Sequence, residues 1–251
     1  MTNLPNMPTS ESANQLDFPI VDYHVHPSES LTVERAVELA KIRHMKFGIV
    51  EHPGSHHRIR TDQDLKAYMD HLKEFPVCIG LQPVYPNWSA AFSAELIDQL
   101  DYVLMDADTI PQENGGWLRI WRHDNFIQDM DEFMDTYMNH IVRILSEEPI
   151  DIFARPTYLP INFARHYDQI WTEERMLTII ELAKERDIAL EISENVRVPS
   201  IKFVELAKAA GTRFTFGTNA RNDNAGNLYY CIKVAKKCGL AEKDMFAPKK
   251  K

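Results

Sequence analysis

Cysteine is scarce: the 251 residues hold three, Cys78, Cys231 and Cys238, and none lies in a CxxC pair. An odd, scattered set does not make a disulfide framework, and a reduced, cytoplasmic protein is the expected setting. Cys78 sits inside an apolar stretch, where core packing is its expected role. Positive charge is short as well: 28 Lys and Arg against 37 Asp and Glu leave a net charge of −9. That balance argues against nucleic acid or an anionic membrane as the main partner. It leaves room for a small anionic substrate, because a few local arginines reverse the field inside a pocket. No apolar run approaches the length needed to span a bilayer, and no glycine-rich phosphate loop follows any candidate strand. Residues 1–17 are polar and rich in Pro, Asn and Ser, without a basic segment leading into an apolar one. They read as a flexible tail rather than a signal peptide. Lys249-Lys250-Lys251 reads as a solvated basic end.

What is present is a core-forming chain, 44% hydrophobic, of a length that suits one large α/β domain, expected over residues 18–246. Short apolar runs alternate with amphipathic stretches. The runs are Ile20–His24, Phe47–Glu51, Val77–Gln82, Tyr102–Asp106, Ile150–Ala154, Ala189–Ile192 and Arg213–Gly217. Between them, Thr32 can cap a helix with Val33, Ala36, Val37 and Ala40 inward. Met130, Phe133, Met134, Tyr137, Ile141, Ile144 and Leu145 follow helical spacing. Thr172-Glu173-Glu174 opens another helix, with Met176, Ile179, Ile180 and Ala183 inward and acids in its first turn. Gly211 and Gly239 follow the last two helical stretches, and the final helix is expected from about Asn224 to Cys238. Seven such units predict a parallel sheet covered by helices, closed into a distorted TIM-like (β/α)7 barrel, with an open doubly wound sheet as the alternative.

Barrel chemistry gathers at the carboxyl ends of the strands. Those ends supply His24 and His26, then Glu51 and His52, Gln82, Asp106 and Asp108, Arg155, Glu191 with Ser193, Glu194 and Asn195, and finally Asn219 and Arg221. Alternation along a strand sends His24 and His26 the same way, and two imidazoles so placed can grip a divalent metal ion. The alternative is a pair of ordinary polar residues at a strand end. The convergence of polar groups at all seven ends is the stronger signal.

These residues resemble the PHP family, named for polymerase and histidinol phosphatase, over roughly residues 18–240. Asp22-Tyr23-His24-Val25-His26 is similar to its opening HxH motif and Ile49-Val50-Glu51-His52 to its acid-His motif. Asp151-Ile152-Phe153-Ala154-Arg155-Pro156 and Phe216-Gly217-Thr218-Asn219-Ala220-Arg221 resemble the later motifs, normally Ala/Gly-His-Pro and Gly-Thr-Asp-Ala-His. The resemblance implies a distorted seven-stranded barrel that hydrolyses phosphoesters with two or three metal ions. The departures are systematic. Gln82 stands for a bridging carboxylate, Asp108 for a histidine, Asn219 for an aspartate, and Arg155 and Arg221 for histidines. Arginine cannot ligate, because it stays protonated.

The expectation is therefore a reduced centre holding one divalent ion (zinc, manganese or iron) on His24, His26, His52 and Asp108, or none. Glu51 or Glu191 would serve as general base, and Arg155, Arg221, Asn219 and Gln82 would bind the substrate. Guanidinium forks suit carboxylate or phosphate; alternatively both arginines pair with Asp106, Asp108, Glu191 or Glu51. The long segment Thr109–Asn125, with Gly115-Gly116-Trp117 and Trp121-Arg122-His123, reads either as a lid that stacks on a substrate ring or as tryptophans packed outside the barrel. Gly54–Arg60, including His56, reads as a solvated loop, and His44, His71 and His140 as structural or exposed. Three functions stay open: a metal-assisted hydrolase of a small phosphorylated or carboxylated substrate, a metal-free acid–base lyase or isomerase, and an inactive small-anion-binding protein.

Overall fold

The computed structural model describes residues 16–54, 57–122, 124–125 and 127–248. The expected tail up to residue 15, His56, His123 and Lys249–Lys251 lie outside the described residues. The strands are β1 (Val21–Val25), β2 (Lys46–Ile49), β3 (Cys78–Leu81), β4 (Tyr102–Met105), β5 (Thr109–Pro111), β6 (Trp117–Arg119), β7 (Ile152–Phe153), β8 (Ala189–Ser193) and β9 (Phe214–Gly217). All but β5 and β6 form a closed barrel of seven parallel strands in chain order, shut by β1 against β9 through Asp22 and Phe216. Each barrel strand falls within two residues of its sequence expectation. The unforeseen pair, β5 and β6, is an antiparallel hairpin inside the long segment after β4.

The helices are α1 (Val33–Ile42), α2 (Asp62–Leu72), α3 (Ala94–Ile97), α4 (Met130–Glu147), α5 (Tyr167–Ile170), α6 (Glu173–Glu185), α7 (Ile201–Ala210) and α8 (Tyr229–Lys237). Their starts are built by side chains that accept orphan backbone N–H groups. Thr32 Oγ1 takes Arg35 N, Thr172 Oγ1 takes Arg175 N, and Thr61 and Asp64 form a reciprocal box. Each such cap contributes about 1 kcal/mol. The inward stripe of α6 is the expected one, whereas in α1 Leu39 is buried where Val37 was expected. The last helix begins at Tyr229 rather than near Asn224. The turn before it presents Gly226 N–H to Asp22 Oδ2 at 2.9 Å, with Gly226 at φ 80°, outside the helical region.

The barrel interior holds a cluster of Tyr23, Val50, Tyr102, Leu104, Ile152 and Ala154. Tyr102 on β4 lies across β2 and β3, and a Cβ on Gly48 or Gly80 would stand 2.3 or 2.4 Å from its ring or hydroxyl. Its hydroxyl donates to Tyr23 O at 2.7 Å. Phe246 closes the amino end, edge-on to Tyr23 at 5.4 Å. Its N–H donates to Phe214 O at 2.8 Å. Because the seven strands run parallel, their carboxyl ends, with the polar residues they carry, gather at the opposite mouth. Among the described residues, no helix is long and apolar enough to cross a membrane.

Candidate functional site at the barrel mouth

The alternation of β1 buries His24 and His26 together, at 0% and 1% exposure. Both ring nitrogens of His24 face acceptors. Nδ1 lies 2.6 Å from Glu191 Oε1, and Nε2 lies 3.1 Å from Gln82 Oε1. The Gln82 amide is oriented by its other end, which donates to Asp106 Oδ2 at 2.9 Å. Both His24 ring nitrogens are thus engaged by neighbouring side chains, so a metal on this ring would have to displace Gln82 or Glu191. Glu191 fits so deep because β9 offers a glycine, Gly217, two residues beyond its register partner Thr215. A Cβ on Gly217 would stand 1.9 Å from Glu191 Oε1.

Arg155 follows β7 in the left-handed region, at φ 50°, a strained conformation for a residue with a side chain. There its backbone N–H donates to Glu191 Oε2 at 3.1 Å. Its guanidinium reaches Asp106 Oδ2 at 2.5 Å and Asp108 Oδ2 at 3.1 Å. Burial would raise the Asp106 carboxyl, but Arg155 and the Asp108 backbone amide outweigh it and hold it below the ordinary carboxylate range. Asp108 goes the other way. Burial, then Asp106 and Glu191 as like charges, push it well up despite Arg155. Arg155 is itself raised, the three carboxylates overcoming its desolvation.

Arg221 is placed differently. Nη2 donates to His52 Nε2 and Nη1 to Asn219 Oδ1, both at 3.2 Å. Among the described residues it makes no ion pair. Burial and the nearby Arg155 push its guanidinium down, against the pull of Glu51. His52 Nδ1 donates to Gln82 O at 2.9 Å, so its tautomer is set. Burial first, and Arg221 among its neighbours, lower it to about 4 and keep it neutral at pH 7. Asn219 shares the strained geometry, at φ 50°. Glu51 is half-buried and raised by desolvation, with Arg58, the His52 amide and Arg221 pulling back.

His52, Gln82, Asp106, Arg155, Asn219 and Arg221 line a cavity of about 560 Å³, within the ~300–1,000 Å³ range of small-molecule sites. The far wall supplies Tyr85, Arg119, Trp121 and Asn195. Arg119 Nη2 donates to Tyr85 Oη at 3.1 Å, and it too has no ion pair among the described residues. Glu51 stands on the other side of His52, in an adjoining cavity with Ser28, His57 and Arg58. Asp106 was expected among the strand-end residues, but Arg119 and Tyr85 were not singled out as site residues from the sequence. Asn114-Gly115 in the β5–β6 loop is a hairpin signal that could have revealed the strand carrying Arg119.

Two residues near the site do structural work. Asp22 accepts from His24 N, Thr218 N, Thr218 Oγ1 and Gly226 N, tying β1 to the turn after β9. Glu194 accepts from Tyr230 N and Cys231 N at the start of α8.

The fit of these residues to a divalent ion can be judged from their own contacts. His24 has both nitrogens engaged and His52 gives its lone pair to Arg221. Asp108 faces Arg155, and only His26 has both ring nitrogens buried and unpartnered. Among the described residues no three His, Cys, Asp or Glu side chains are arranged to hold one ion. A metal would need this network to rearrange.

No protein-family model matches the chain, and no curated protein matches it. Among solved structures it is similar to the histidinol phosphate phosphatase HisK of Lactococcus lactis subsp. lactis Il1403, determined with zinc, L-histidinol and phosphate. The two are 17% identical, with a TM-score of 0.59, over 88% of this chain and 94% of that one. Weaker likenesses are to a chain of archaeal ribonuclease P with mature tRNA, at 12% identity and a TM-score of 0.42 over 87% of each chain, and to the citrate synthase SbnG. The latter is 12% identical, with a TM-score of 0.39 over 93% of this chain and 98% of that one; both overlaps are too loose to bear on the site. At 17% identity the first likeness shows a shared barrel fold.

Proposed function

We propose that this protein binds a small phosphorylated or carboxylated molecule at the barrel mouth and acts on it by acid–base chemistry, with arginine supplying the positive charge. One observation carries the reading. Arg119 and Arg221 face one cavity without a carboxylate partner, in a chain whose net charge is −9. Arg155 is already engaged by Asp106 and Asp108, so Arg119 and Arg221 are the guanidinium groups left to meet a phosphate or dicarboxylate.

The residues divide the work. Arg119 and Arg221 orient the anion, with Arg221 steadied by His52 and Asn219. Arg155, Asp106 and Gln82 hold the floor rigid. Glu51, raised by burial and lining the adjoining cavity with His52, is the carboxyl assigned to proton transfer. A metal-assisted phosphoester hydrolase is the second reading. It is supported by the two unpartnered nitrogens of His26 and by the barrel shared with a zinc-containing phosphatase.

The test is calorimetric titration with orthophosphate, phosphoesters and dicarboxylates, with and without EDTA. We expect saturable binding of at least one anion class, unchanged by EDTA and lost on replacing Arg221. Binding that appears only with added zinc, manganese or iron would favour the second reading, and no binding under either condition would refute both.

A further inference from the structure

We infer that the anion accepted here carries a flat ring, which seats on the indole of Trp121 while Arg119 and Arg221 hold its charged group. This rests on the anion site proposed above and adds its substrate class.

The β5–β6 hairpin builds the wall. Its backbone ladder continues past β6, with Ile120 N–H donating to Asp108 O at 2.9 Å. Alternation along β6 puts Leu118, followed by Ile120, on one face and Trp117 and Arg119 on the other, and Trp121 follows in the turn that Arg122 N–H closes on Arg119 O at 3.1 Å. The first face is fastened, since Ile120 is 2% exposed and Leu118 packs against the core. The second face looks over the site. Trp117 packs on Tyr85, ring centroids 4.5 Å apart, and Tyr85 holds Arg119 through its hydroxyl. Asn125 Nδ2 donates to Arg119 O at 2.8 Å, which fixes the exit of the hairpin. Trp121 is the exception in this clamp. It lines the cavity, is 48% exposed, and has no ring partner among the described residues.

An indole held half in water beside an anchored guanidinium is a surface for a planar group. A ring on Trp121 would bury apolar area and stack on the indole face. The anion on that ring would meet the two arginines that have no carboxylate. The cavity is also far larger than a bare phosphate needs, given roughly 30 Å³ per liquid water.

The experiment compares matched ligands that differ only in the ring: phenyl phosphate against methyl phosphate, and benzoate against acetate. Affinities are measured by calorimetry for the full chain, for Trp121→Leu and for Trp121→Phe. We expect the ring-bearing member of at least one pair to bind about tenfold tighter, which corresponds to about 1.4 kcal/mol. Trp121→Leu should shrink that ratio to about threefold or less without changing the affinity for the ringless anion, and Trp121→Phe should restore most of it. Which pair shows the effect tells phosphate from carboxylate. Equal binding of ringed and ringless anions, or a ratio untouched in Trp121→Leu, overturns this inference and leaves the anion site standing. Failure of every anion to bind overturns both.

Discussion

Replacing Arg155 by methionine separates a structural arginine from a binding one. The guanidinium is 10% exposed and contacts Asp106 at 2.5 Å and Asp108 at 3.1 Å. Methionine keeps most of the apolar stem but leaves two buried carboxyls without a cation. Removing one partner of a buried pair costs about 3–5 kcal/mol, a large part of the ~5–15 kcal/mol that holds a domain folded. The chain can lessen this by protonating Asp106. In the parent protein Asp106 is held below its ordinary value, so its contribution is present above about pH 4 and lost as pH falls through its folded value. In the variant its folded value rises above the unfolded one. The stability of the variant then falls as pH rises, by up to about 1.4 kcal/mol per pH unit for each proton concerned. The gap between parent and variant should therefore widen from pH 5 to pH 8. Urea unfolding at both pH values, followed by far-UV circular dichroism, measures it. Adding Asp106→Asn to the variant should recover at least about 1 kcal/mol at pH 8, because the two positions are directly coupled. A loss under about 1 kcal/mol at pH 8, or a loss independent of pH, would refute the charge-compensation account.

Arg221→Met should behave in the opposite way: little change in urea midpoint, but anion affinity weaker by about 1–3 kcal/mol in calorimetry. Gly217→Ala should push Glu191 off His24, because its Cβ would stand 1.9 Å from Oε1; we expect a thermal-unfolding loss of about 1–3 kcal/mol, the range for overpacking. His140 on α4 is 4% exposed and burial lowers it to about 4. Its unfolded form charges near pH 6.5, so it destabilises the fold progressively as pH falls from about 6.5 to 4. Relative to the parent, His140→Leu should therefore gain stability over that window in pH-dependent urea unfolding.

The barrel was legible because its signals are local and repeated. The apolar runs, the Thr caps at residues 32 and 172 and the stripe of α6 each need only neighbouring residues. The β5–β6 hairpin was not, since its strands span three residues each and carry one tryptophan and a proline, which read equally well as a loop. The gathering of His24, Gln82, Asp106, Asp108, Arg155 and Glu191 at one end followed from where strands end. The division of labour between Arg155 and Arg221 could not be read in advance. Both replace histidines in the family pattern, and only three-dimensional distance shows that one meets two aspartates and the other meets His52 and Asn219. Arg119 escaped notice because it enters the cavity from the hairpin rather than from a barrel strand.

Under the function proposed above, fixed guanidinium groups, and not a resident divalent ion, supply the positive charge of this site. The most direct measurement is elemental analysis by mass spectrometry of protein purified without chelator, after exposure to zinc, manganese and iron and removal of excess. We expect well under one equivalent of any of the three, with His26→Ala making no difference. Close to one equivalent of a single metal, lost in His26→Ala, would contradict it.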